Sequence, residues 1–67
     1  MKEYQLRVIA EKAALDEKRV ALMEFKNSIT FTRLSSEQQE LLNTQGHIMT
    51  MYSAVLGARM DAFINGS

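Results

Sequence analysis

Residues 3–26, EYQLRVIAEKAALDEKRVALMEFK, decide the fold. Ala, Leu, Lys, Glu, Met, Arg and Gln dominate this stretch, and such side chains lose little rotamer freedom in a helix. Neither proline nor glycine interrupts it. One continuous helix over 3–26 is therefore expected. Beyond it, residues 27–34 (NSITFTRL) switch to β-branched and small polar types that favour non-helical backbone, which predicts a connector over 27–35. Ser35 followed by Gln38 has the S-x-x-Q form of a capping box, so a second helix should run over 36–64. Gly66, just after Asn65, stands where that helix would stop. The expected fold is all-α. Two long antiparallel helices joined by a short connector, a helical hairpin turning near Phe31, form a single domain over 1–67.

A chain of 67 residues buries a smaller share of its surface than one twice as long. Small folds compensate with disulfides, a metal or self-association. Here there is no cysteine and only one histidine, His47, which leaves self-association. Eight basic against eight acidic residues give a net charge of zero, so no global field draws in duplex nucleic acid or an anionic membrane. The uncharged stretches 27–32 and 47–58 are too short to span a bilayer, and the N-terminus does not read as a signal peptide. A cytoplasmic protein is expected.

The apolar pattern supports the same expectation of a homo-oligomer. Tyr4, Val8, Leu15, Leu22 and Phe25 fall along one side of helix one, whereas Leu6, Ile9, Ala13 and Val20 fall about 150° away at about 100° per residue. One hairpin partner can cover a single stripe, and the second calls for another chain. Helix two carries Leu41, Leu42, Ile48, Met49, Val55, Leu56 and Phe63 on one broad face, with Met51, Ala54 and Ala58 beside it. Gly46 and Gly57 would let another backbone approach closely. Whether the assembly is a dimer, tetramer or hexamer is left open.

Gln45, Tyr52 and Arg59 are spaced by seven, on one line down that broad face. With a turn near Phe31, three polar layers are expected: Tyr4 level with Arg59, Glu11 with Tyr52, and Lys18 with Gln45. Such layers can be internal hydrogen bonds that fix register and oligomer state. They can also place Tyr4, Arg7, Lys18, Tyr52 and Arg59 in a crevice between subunits, where cations and aromatic rings would meet an anionic, base-bearing ligand. These five are the candidate ligand-binding residues. No glycine-rich phosphate loop, G-x-S-x-G elbow, cysteine nucleophile or EF-hand spacing occurs, and one histidine cannot make a His-based metal site. Asp16 and Glu17 beside Lys18 read as a solvated face. Neither enzyme, cofactor nor metal is expected.

Arg7-Val8, Glu11-Lys12, Leu15-Asp16 and Lys18 resemble the R-V-x-x-E-K-x-x-L-D-x-K run of small phage-encoded helical-hairpin proteins. In the second half, Phe31, Leu34, Glu37-Gln38, Leu41-Leu42 and Gln45 resemble F-x-x-L-x-x-x-E-Q-x-L-L-x-x-Q. Met49, Tyr52-Ser53, Leu56-Gly57 and Arg59 resemble M-x-x-Y-S-x-x-L-G-x-R, with Phe63 beyond. The family is similar to the hairpin domain shared by anti-CBASS cyclic-oligonucleotide sponges and Thoeris anti-defence sponges. The resemblance implies a phage anti-defence protein of the infected bacterial cell that assembles through its helices. It would trap host immune signals, cyclic di- or trinucleotides or cyclic ADP-ribose isomers, between subunits without cleaving them. Arg59 and Arg7 match the family's arginines and would contact phosphate, and Tyr4 would stack. Some relatives carry a segment ahead of helix one that completes the pocket. Two other readings remain: an accessory or anti-CRISPR-like protein that blocks a host protein through its helical surface, and a purely structural helical oligomer.

Overall fold

A computed structural model describes residues 1–66. It is all-helical, with α1 at Glu3–Lys26, α2 at Ile29–Thr32 and α3 at Ser36–Ile64. The long helices begin and end where the sequence places them, because their ends are set by neighbouring residues. At the start of α1 the Gln5 side-chain oxygen accepts the Lys2 backbone N–H at 2.9 Å. Glu3 in the first turn and Lys26 in the last complement the helix dipole. Ser35 Oγ accepts the Gln38 N–H at 3.2 Å, the forward half of the expected capping box. At the far end Gly66 takes a φ of 76°, the left-handed conformation that glycine adopts without a Cβ clash.

The connector departs from expectation. Residues 29–32 form a helical turn rather than extended or irregular backbone. The Ser and Thr types that disfavour a helix interior act here as its caps. Ser28 Oγ accepts the Phe31 N–H at 3.2 Å and donates to the Phe25 carbonyl at 2.6 Å, so one hydroxyl closes α1 and opens α2. Thr32 Oγ1 donates to the Ile29 carbonyl at 2.6 Å. Gln39 of α3 donates through Nε2 to the carbonyls of Phe31 and Leu34 at 3.0 and 3.3 Å, which fastens the turn to the next helix. Phe25 and Phe31 meet edge to face with centroids 6.1 Å apart.

Pairs between the long helices run in reverse order. Tyr4 meets Phe63, Lys12 meets Ser53 and Arg19 meets Thr50. This register differs from the expected one. Tyr4 packs one helical turn beyond Arg59, and neither Glu11 with Tyr52 nor Lys18 with Gln45 forms a hydrogen bond among the described residues. The cause is α2, whose helical turn moves the reversal of the chain past Phe31.

The result is a rod 48 × 15 × 14 Å with a radius of gyration of 15.2 Å. A compact domain of this length would have a radius of about 11 Å. Among the described residues only Val8 (4% exposed) and Leu56 (0%) are buried hydrophobics. Leu15, Leu22 and Phe25 of the first stripe are half-buried and its Tyr4 is exposed, whereas Leu6, Ala13 and Val20 of the second are exposed and its Ile9 is half-buried. The accessible surface is 5134 Å². A folded monomer of this mass typically exposes about 4,300 Å².

Candidate ligand-binding site

On α3, Leu41, Gln45, Ile48, Tyr52, Val55 and Arg59 follow one another at alternating four- and three-residue spacing and so form one strip. All six are exposed, while Leu42, Met49, Ser53, Leu56 and Met60, on the side toward α1, are buried or half-buried. Cationic, amide and phenolic groups thus stand between bare aliphatic side chains. Tyr52 and Arg59 lie on this strip. Tyr4, Arg7 and Lys18 are exposed on α1. No hydrogen bond or ion pair joins any two of the five among the described residues. Tyr4 is the one with a defined aromatic contact: its ring meets Phe63 edge to face, with centroids 5.6 Å apart at 90°. That contact fixes the start of α1 against the end of α3 and leaves the phenol half-exposed.

The polar groups that the tertiary structure does bring together are others. Asp16, read from the sequence as part of a solvated face, is half-buried at the junction of the helices. It accepts from Ser53 Oγ at 2.6 Å, Lys12 Nζ at 2.7 Å and Arg19 Nη1 at 2.9 Å. Lys12 also donates to Ser53 Oγ at 2.9 Å, and Arg19 Nη2 reaches Thr50 Oγ1 at 3.4 Å. The Lys12 hydrogen bond, then that of Ser53 and that of Arg19, hold the Asp16 carboxyl well below the usual carboxylate range despite opposing desolvation. Gly57 lies beside the Lys12 stem, where an added Cβ would sit 3.4 Å from Cε. The i, i+4 and i, i+3 spacing of Lys12, Asp16 and Arg19 was visible in the sequence as a helical ion-pair signal, but Ser53 and Thr50 could be added only with the register known.

A serine beside a lysine invites comparison with a nucleophile and its base. Here Ser53 is 4% exposed, its proton is directed to a carboxylate that stays ionised, and Lys12 donates to both. The cluster is a polar cross-link between helices. Among the described residues no group of three or more His, Cys, Asp or Glu side chains could hold a metal ion. No helix among the described residues is long and apolar enough to cross a membrane.

These features define a small all-helical protein whose inward polar groups bind one another and whose outward cations, among the described residues, pair with no carboxylate. The model of the Sequestin family, described by that name alone, matches residues 2–62, and the chain belongs to that family. The name denotes sequestration. No curated protein and no solved structure matches the chain.

Proposed function

We propose that the protein is an antiparallel helical hairpin that associates with copies of itself and sequesters an anionic, base-bearing small molecule, a cyclic nucleotide immune signal, without cleaving it. The observation that carries this reading is the exposed strip of α3, where Tyr52 and Arg59 stand among Leu41, Ile48 and Val55 in a chain of the Sequestin family. A phenol ring offers a stacking surface and a guanidinium offers a planar fork for phosphate. Lys18, Arg7 and Tyr4 supply further cations and a ring from α1. The phage anti-defence setting, and the likeness to anti-CBASS and Thoeris sponges, rest on the sequence resemblance.

Self-association is supported by surface area. The rod exposes about 800 Å² more than a typical monomer of its mass, close to what one partner contributes to a standard-size interface. The exposed strip repeats at heptad-like spacing, the pattern with which one helix packs against another. Calorimetric titration with cyclic dinucleotides, cyclic trinucleotides and cyclic ADP-ribose isomers, followed by denaturation and chromatography of the recovered ligand, tests the proposal. A stoichiometric complex that releases intact nucleotide is expected. Absence of binding across all three classes, or recovery of a linear product, overturns it.

A further inference from the structure

A groove of about 190 Å³ lies between the second half of α1 and the middle of α3, lined by Arg19, Leu22, Met23, Lys26, Gly46, His47 and Thr50. Three of these are basic and none is acidic. Lys26 makes no hydrogen bond or ion pair among the described residues. Its ammonium lies over Gly46, where an added Cβ would come to 3.5 Å from Nζ and 3.4 Å from Leu22 Cδ2. The Arg19 guanidinium is only partly satisfied. Nη1 is held by Asp16 at 2.9 Å, Nη2 makes a long contact of 3.4 Å to Thr50, and Nε is buried with no partner. With one Nη2 hydrogen left free beyond the Thr50 contact, the guanidinium keeps donor capacity that can be turned toward the groove.

We propose that this groove is an anion-binding site for a phosphate group and its immediate substituent, separate from the Tyr52–Arg59 strip. Lys26 and Arg19 Nη2 supply charge-assisted hydrogen bonds, His47 adds a third donor, and Leu22 and Met23 provide an apolar wall for the carbon substituent. Gly46 is the residue that leaves the floor open. The volume falls below the range of about 300–1,000 Å³ for sites that enclose a whole drug-sized ligand, so one phosphoryl group with its neighbour fits and an entire nucleotide does not.

The test uses pyrophosphate as the probe and follows the His47 ring resonances by NMR, with calorimetry for affinity. Saturable shifts of the His47 ring are expected at low salt, weakening as salt rises. Lys26→Gln should reduce affinity about ten-fold, the scale of one charge-assisted hydrogen bond. Gly46→Ala should raise the melting temperature, because alanine favours a helix interior over glycine, and at the same time reduce pyrophosphate affinity by filling the floor. Arg33→Gln, which removes an exposed cation outside both this groove and the Tyr52–Arg59 strip, should leave the His47 response unchanged. The inference is overturned if His47 does not respond to millimolar pyrophosphate, or if it responds equally in the wild type, Lys26→Gln and Gly46→Ala.

Discussion

The two sides of α3 solve opposite problems with similar residue types. Toward α1, Ser53 and Leu56 are buried and the Ser53 hydroxyl donates to Asp16 and accepts from Lys12. On the outward strip, Val55 and Ile48 are as aliphatic as Leu56 yet more than half exposed, and among the described residues Arg59 has no carboxylate partner. Adjacent residues of one helix therefore do different work. What separates them is the hundred-degree step between Val55 and Leu56, which puts one beside α1 and leaves the other to whatever lies outside the chain.

Substitution at these two positions should break that contrast or sharpen it. Leu56→Ala removes the one fully buried large side chain among the described residues and should lower stability by about 2–5 kcal/mol in thermal or urea unfolding. In an isolated chain Val55→Ala should cost within about 0.5 kcal/mol, as exposed substitutions do. Under self-association Val55→Ala should cost more, and its melting temperature should fall on dilution. Equal, concentration-independent effects at both sites would show that the inner and outer sides are not distinct. Val20→Asp probes the uncovered stripe of α1 in the same way: sedimentation should report loss of the oligomer, since a buried charge there would have no partner.

Next in size is Arg59→Ala, expected to leave the helices folded by circular dichroism while weakening cyclic nucleotide binding by about 1.5–3 kcal/mol. Arg59→Lys should recover only part of that affinity, because the charge is kept and the planar fork is lost. A drop in melting temperature with unchanged affinity would instead assign Arg59 to an internal or subunit contact. Ser35→Ala, which removes the cap of α3, should cost about 1 kcal/mol of stability.

The inward polar cluster should show its effect in acid. The Asp16 carboxyl titrates below its ordinary value of 3.8 in the folded chain, so its contribution is complete above about pH 4. It is lost progressively as pH falls below that value toward the folded one. Asp16→Asn should flatten this part of the acid-unfolding curve and leave the neutral-pH helix content unchanged, as followed by circular dichroism. An identical acid limb in the variant would show that Asp16 does not report the cluster.

Local features were legible in the sequence. Residues 3–26 and 36–64 are helix because propensity, the Ser35 cap and Gly66 act within a turn of where they stand. The presence of two apolar stripes on α1, with Leu6 and Val20 on the uncovered one, also followed from periodicity alone. The connector was not legible in this way. Ser28, Thr32 and Gln39 satisfy backbone groups that a propensity scale does not see, and they turn NSITFTRL into a capped helical turn.

That turn decided the register. Because a shift of one turn exchanges every cross-helix neighbour, it replaced the expected Tyr4–Arg59, Glu11–Tyr52 and Lys18–Gln45 layers with Tyr4 against Phe63 and with the Lys12–Asp16–Ser53 cross-link. The sequence by itself therefore determined which residues are helical and which faces are apolar, both properties of short segments. Only the tertiary structure decided which polar groups meet, since a contact between residues some 40 positions apart depends on how many residues the intervening turn consumes.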